Sequence, residues 1–260
     1  MEGEASNTPK KMKPTTHSDV RSILIVKADR IYAEALRLFI RKAFPQAKIR
    51  IECSLELAAV ALAKEPVELL VTGIGASLGG DAIDFLSTCT GRDSRARQVL
   101  VVTTHHEVRL LTALRTLPIR GVFDSTEESP DQLTAALQLV ARGGFYWSQS
   151  VLRCIRADVA TGVSHLRMLT PCEQLVLSVI GGGSDNATAA RELGMTSGTI
   201  SSVRRDLHRK LGVQHRGELM RVAAQAGFVQ FTPAGVVRSG YSLLTAAHKA
   251  RSRPLQLSTA

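Results

Sequence analysis

The sequence predicts an α/β domain built on a doubly wound, five-stranded parallel sheet, followed by a small all-α domain of four helices. Three observations carry that expectation. From Ile23, short apolar runs alternate with longer amphipathic ones, the pattern of strands joined by crossover helices. From Thr170 to about Ala226 the periodicity becomes purely helical. The 260-residue length suits two ordinary domains better than one.

In the first half, strands are expected at Ser22 to Val26, Lys48 to Glu52, Glu68 to Val71, Val99 to Thr103 and Gly121 to Phe123. Helices are expected between them, at Ile31 to Ala43, Leu55 to Ala63, Asp81 to Ser87, Glu107 to Arg115 and Pro130 to Ala141. The last has the clearest start: Ser129 can cap it, Pro130 suits its first position, and Gln132 completes a capping box. Gly143 and Gly144 then break the chain, and Phe145 to Arg167 shows no long periodic stretch, so 143–167 reads as a linker between an α/β domain at 21–142 and a helical domain at 168–228. Residues 1–20 read as a disordered segment, and 229–260 as a basic tail. No acidic residue follows Glu218, so Arg238, Lys249, Arg251 and Arg253 read as uncompensated, serving either an arm that touches phosphates or a solvated end. Within that tail, Leu243, Leu244, Ala246 and Ala247 could form a short helix.

Composition narrows the function classes. The net charge of +10 makes a polyanion the first partner to weigh. Apolar residues are 44% of the chain, yet none of its runs approaches the roughly 18 residues of a membrane span, and Met1 to Asp19 is polar rather than signal-like. A cytoplasmic protein without a membrane partner is expected. Cys53, Cys89, Cys154 and Cys172 form no close pair and read as reduced packing residues. His105 and His106 are adjacent, so they point in different directions and make a poor metal site; neither metal nor cofactor is expected. An enzyme is disfavoured, because no phosphate loop, nucleophile motif or carboxylate pair is present.

The second domain carries the functional signal. Thr170-Pro171-Cys172-Glu173 has the form of a capped helix start, and the helix that follows would bury Leu175, Val176, Val179 and Ile180 before Gly181 to Gly183 end it. A short helix from about Asp185 to Leu193 then meets Gly194-Met195-Thr196, a glycine turn running into a new cap, which is the helix-turn-helix arrangement. Projected at 100° per residue, the third helix places Ile200, Val203, Leu207 and Leu211 on one stripe. Opposite lie Gly198, Ser202, Arg205 and Arg209, with Ser201 at the flank. Small residues let such a helix enter a major groove, where Arg reads guanine edges or neutralises phosphates. A solvated basic helix face is the plainer alternative.

Leu169-Thr170-Pro171-x-Glu173, Gly183-x-x-Asn186-x-x-x-Ala190, Leu193-Gly194, Thr199-Ile200 and Arg209-Lys210-Leu211-Gly212-Val213 together resemble the LuxR-type helix-turn-helix of bacterial regulators, from about Leu169 to Val222. The resemblance implies double-stranded DNA as partner, a homodimer supported by the fourth helix, and contacts at Thr199, Ser201, Ser202, Arg205 and Arg209, with Lys210 a candidate for backbone phosphates. Ser201 stands where Lys is frequent in that family and Val203 where His is frequent, so the operator is not transferable from relatives.

Beside this domain, the five alternating units resemble the receiver domain of NarL/FixJ-type response regulators. A working receiver places acids after the first strand, an aspartate after the third, Ser or Thr after the fourth and Lys after the fifth; here those places hold Lys27 and Ala28, then Thr72, Thr103 and Ser125. Lys27 would set an ammonium where magnesium needs carboxylates, and Thr72 cannot form an acyl phosphate. Asp29 and Asp81 read as helix caps, and neither they nor Asp124 match the required positions. The expectation is a phosphorylation-independent transcriptional regulator controlled by its expression level or by a protein or small-molecule signal at the degenerate receiver, alternatives between which the sequence does not choose. The competing reading is an adaptor or anti-activator that binds DNA weakly.

Overall fold

A computed structural model of the chain describes residues 20–90, 94–161 and 168–252. Its first domain is a wholly parallel sheet in the order β2-β1-β3-β4-β5-β6, with β1 at Ser22–Val26, β2 at Lys48–Glu52, β3 at Val67–Thr72, β4 at Ala96–Thr103, β5 at Gly121–Asp124 and β6 at Tyr146–Trp147. Helices α1 (Arg30–Ala43) and α5 (Pro130–Ala141) cover one face, and α2 (Leu55–Lys64), α3 (Ala82–Cys89), α4 (Val108–Arg115) and α6 (Gln149–Thr161) cover the other. Burial on both faces explains why Ile23 to Val26 and Leu69 to Val71 are continuous apolar runs with no exposed surface. Asp29 caps α1 through the Tyr32 amide (3.0 Å), Asp81 caps α3 through Ile83 (3.0 Å), and Ser129 with Gln132 closes the capping box of α5.

The expected linker is the main correction. The sheet has six strands, not five: β6 pairs with β5 in parallel, Gly121 opposite Tyr146 and Val122 opposite Trp147, and α6 packs on α4 and β5. Buried polar groups fix this added unit. The Asp124 carboxylate, with no exposed surface, accepts from Ser150 Oγ of α6 (2.6 Å), from the Thr126 amide (2.9 Å) and Thr126 Oγ1 (2.5 Å), and pairs with His106 Nε2 (2.6 Å). Burial alone would raise its pKa, but those hydrogen bonds hold it below the ordinary aspartate range. Asp124 is therefore a strut between β5 and α6.

The second domain contains α7 (Pro171–Ile180), α8 (Asn186–Leu193), α9 (Ser197–Leu211) and α10 (Arg216–Gln225), as expected. It is not all-α. An antiparallel hairpin of β7 (Val229–Thr232) and β8 (Gly235–Arg238) follows, and then α11 (Tyr241–Ser252), which packs on α7. Residues read as a tail thus belong to the fold. Arg238 is compensated across space by Glu192 of α8. The expected disorder of 1–20 falls, but for Val20, outside the described residues, as does Arg253.

The two domains dock through α3 and α4. The Arg109 guanidinium donates to the carbonyls of Gly227 (3.0 Å) and Ser239 (2.5 Å) and lies 4.4 Å from the Phe228 ring centroid. Asp81 Oδ2 accepts the Tyr241 amide (3.2 Å), while Asp84 Oδ2 accepts Ser242 Oγ (2.6 Å) and its amide (3.3 Å), so the receiver-like domain caps the start of α11. Gln230 Oε1 of β7 accepts the Ala76 amide (2.6 Å).

Candidate nucleic-acid interface and receiver pocket

Local chemistry sets the orientation of α9. Gly194 turns the chain out of α8 at φ 65°, and Thr196 caps α9 by accepting the Thr199 amide at 3.0 Å. Ile200 and Leu207 have no exposed surface, and Val203 and Leu211 pack beside them against α7 and α8. With one stripe anchored, the helical period turns Gly198, Ser202, Arg205 and Arg209 to solvent, and all four are exposed. Domain docking leaves this face open.

The expected contact residues do not share one environment. Ser202 and Arg205 are exposed on the outer face without an ion-pair or hydrogen-bond partner among the described residues, and Arg209 pairs with Asp206 at 2.8 Å while keeping 75% of its side chain exposed. An exposed i,i+3 pair of this kind is worth a few tenths of a kcal/mol and yields easily to a phosphate. Thr199 is exposed, with its hydroxyl 2.9 Å from the capping hydroxyl of Thr196. Ser201 is half-buried and accepts from Asn186 Nδ2 at 2.9 Å.

Lys210 departs from expectation. Its ammonium donates to Glu173 Oε2 (2.8 Å) and the Met168 carbonyl (3.1 Å), tying α9 to the start of α7, so it does not face outward with Arg205 and Arg209. Glu173 is buried, which would raise its pKa, yet Lys210 and the capping-box bonds at Thr170 lower it. The resemblance that made Lys210 a phosphate candidate could not reveal the carboxylate 37 residues away. Arg204, overlooked by the helical projection, is exposed and donates to Asn186 Oδ1 at 3.2 Å, so Asn186 orients both Ser201 and Arg204. The signal was available, since Asn186 belongs to the motif itself.

In the first domain, Lys27, Ala28 and Thr103 line a cavity of about 290 Å³ at the C-terminal ends of β1, β3 and β4. Lys27 Nζ donates to the Val102 carbonyl (2.8 Å) and sits 4.6 Å from the Tyr32 ring centroid. Burial pushes its pKa down to about 8, against the opposing pull of Asp29. Thr72 is fully buried and donates to the Gly73 carbonyl (3.0 Å), while Thr103 Oγ1 accepts the His105 amide (2.8 Å). Ser125 Oγ donates to the Thr103 carbonyl (3.2 Å) and lies beside the cavity rather than in its lining. The lining holds a single carboxylate, Asp29, already used as the cap of α1. A hard divalent cation would meet an ammonium here instead of a carboxylate pair. His105 pairs with Glu107 (3.2 Å) and His106 with Asp124; among the described residues no cluster could hold a metal ion, and no helix is long and apolar enough to cross a membrane. The four cysteines are unpaired.

Comparison with known proteins bears on the second domain and on the fold. The family model of bacterial regulatory proteins of the luxR family matches residues 167–223. The transcriptional regulatory protein MctR of Rhizobium johnstonii is 28% identical over 151 residues, covering 58% of this chain and 67% of that protein. The nitrate/nitrite response regulator NarL of Escherichia coli K12 is 26% identical over 146 residues, covering 54% and 66%. The chain thus spans about two thirds of the length of these relatives. Among solved structures, the response regulator RcsB in complex with DNA aligns with a TM-score of 0.52 at 20% identity, over 79% of this chain and 98% of that one, a likeness of fold. A structure of two RcsB dimers on two parallel DNAs gives the same TM-score, identity and coverage.

Proposed function

This chain has the architecture of a NarL/FixJ-type response regulator with a LuxR-type helix-turn-helix, and on that premise we propose that it regulates transcription by binding double-stranded DNA in a sequence-dependent way. One observation carries the reading: Ser202, Arg205 and Arg209 stand exposed on one face of α9, held there by the buried Ile200 and Leu207 opposite. Small side chains near the start of the helix allow close approach to base edges, and the guanidiniums further along meet guanine or phosphate. The relatives MctR and NarL are named as regulators, and the RcsB neighbour was solved on DNA. DNA is bound as a homodimer, matching two half-sites. The receiver-like domain works without aspartyl phosphate, because Thr72 offers no acyl acceptor and Lys27 occupies the cation position.

The test is selection of genomic fragments by the full chain, then affinity for the best fragment and for a random duplex at one stated salt concentration. A gain of about 10³-fold is expected for the selected site. Arg205→Ala should cost about 1 to 3 kcal/mol on that site and relax its sequence preference, and Arg209→Ala should reduce the salt slope by about one. Equal affinity for both duplexes would instead favour the adaptor reading. Incubation with acetyl phosphate and magnesium should leave the intact mass unchanged.

A further inference from the structure

The unit that sequence reading missed, β6 and α6, builds a second concavity away from the vacated receiver pocket. It lies between the end of α4, the turn leading into β5, and the first half of α6, and encloses about 650 Å³. Its lining has two kinds of side chain. Arg115, Arg120 and Arg156 bring three guanidiniums, while Trp147, Ile155 and Phe145 bring apolar and aromatic surface. No acidic residue lines it, and none of the three arginines belongs to an ion pair among the described residues. Ile155 is buried at the floor, Trp147 is half-buried, and Phe145 stands 65% exposed at the rim with Arg120 stacked 4.5 Å from its ring centroid.

Three uncompensated cations in one concavity repel each other and favour an anion. A solvated face would need neither the concavity nor the aromatic rings. Guanidinium forks match phosphate oxygens in pairs, and a planar base stacks on Trp or Phe in a way that aliphatic anions do not. The volume falls within the roughly 300 to 1,000 Å³ usual for small-molecule sites. We propose that this groove is a binding site for a nucleotide, its heterocycle lying against Trp147 and Phe145 and its phosphate held by Arg115, Arg120 and Arg156. The inference is independent of whether α9 binds DNA. Its position gives it a route to the second domain: α4 carries Arg115 at one end and, at the other, Arg109, which holds Gly227 and Ser239.

Trp147 is the only tryptophan in the chain, so the full-length protein gives one indole N–H resonance, placed in the groove itself. The experiment is titration of ¹⁵N-labelled protein with adenosine and guanosine 5′-monophosphates and 5′-triphosphates, the two nucleosides, inorganic phosphate, a dT oligonucleotide and a Glu-rich peptide. At least one nucleotide is expected to shift the indole peak saturably below about 1 mM, with its nucleoside and inorganic phosphate each about tenfold weaker or more. The double variant Arg115→Gln/Arg156→Gln, at two exposed positions, should weaken that nucleotide about tenfold or more at unchanged melting temperature, and Phe145→Ala should weaken nucleotide and nucleoside alike. Arg205→Ala on α9 should leave the titration unaltered. The proposal is overturned if no nucleotide moves the indole peak by about 5 mM, if the double variant binds as the parent does, or if the oligonucleotide or peptide binds more tightly than every nucleotide.

Discussion

Replacing Arg109 with Met should loosen the DNA-binding domain from the receiver-like domain without unfolding either. In the docked protein the guanidinium makes two hydrogen bonds to carbonyls of the other domain and stacks on Phe228. Charge-assisted bonds contribute about 1.5 to 3 kcal/mol each. The aromatic contact adds about 1 to 2 kcal/mol. Against this stands the cost of drying the cation, visible in a pKa pushed down from the ordinary 12.5 to about 10, roughly 3 kcal/mol. Met keeps the apolar stem and removes both the bonds and that cost, so the net loss is about 1 to 5 kcal/mol, a factor of roughly 5 to 5,000 in the docking equilibrium. Amide hydrogen exchange reads it directly. The amides of Tyr241 and Ser242, which donate to Asp81 and Asp84 only when the domains are docked, should exchange faster, while β1 and β3 keep their protection. Unchanged exchange at those two amides would show that Arg109 does not hold the domains together.

Folding stability should also respond to pH. Burial, then the neighbouring Asp84, pushes Asp81 up to about 6. A folded value above the ordinary 3.8 means that the contribution of Asp81 to folding stability is fully present below about pH 4 and is lost as pH rises to about 6, so Asp81→Asn should reduce the fall in melting temperature between pH 5 and pH 7.5. Lys210→Met should strand the buried Glu173 carboxylate and lower the stability of the second domain by about 2 to 3 kcal/mol by thermal melting, while leaving the salt slope of DNA binding intact. An unchanged melting temperature with a reduced slope would return Lys210 to the phosphate-contacting set. Gly227→Ala should destabilise more than Gly212→Ala: both glycines have positive φ, at 82° and 65°, but only at Gly227 would the new methyl meet Glu107 Cβ at 2.9 Å and Leu110 Cγ at 3.1 Å. Equal melting temperatures for the two variants would refute that contact.

What the sequence disclosed depended on the range of the interactions. Caps, glycine turns and helical faces are local, so the starts of α1, α5, α7 and α9 and the outward set of Ser202, Arg205 and Arg209 could be derived within a few residues of each. The strand β6 has two residues, and the described side chains of α6 bury a narrow apolar stripe, Val151 and Ile155, too little for a periodic signal. Their placement depends on buried polar pairs such as Asp124 with Ser150, and a polar side chain does not announce burial in sequence. The charges of the supposed tail misled for a similar reason. Arg238 lacks an acidic neighbour along the chain and finds Glu192 across 46 residues. Lys210 and Arg109 extend the pattern, the first committed to Glu173 and the second to backbone carbonyls more than a hundred residues away.

These long-range ties bear on how such a protein could be controlled. In the docked form the outer face of α9 is already exposed, so release of the second domain is not needed to uncover it. What docking fixes is direction. A dimer reading two half-sites needs its two recognition helices about one helical turn of DNA apart, and that spacing depends on how each is held relative to the surface that pairs the subunits. The atoms that hold it are Arg109 on α4 and the two carboxylates on α3, while the loops of the cavity at the C-terminal ends of β1, β3 and β4 lie just before those helices. A ligand or partner that shifts α4 would therefore change operator affinity through geometry, with no change in the residues touching the bases. Arg109→Met provides the comparison: it should alter the dependence of binding on half-site spacing while preserving the preferred half-site sequence.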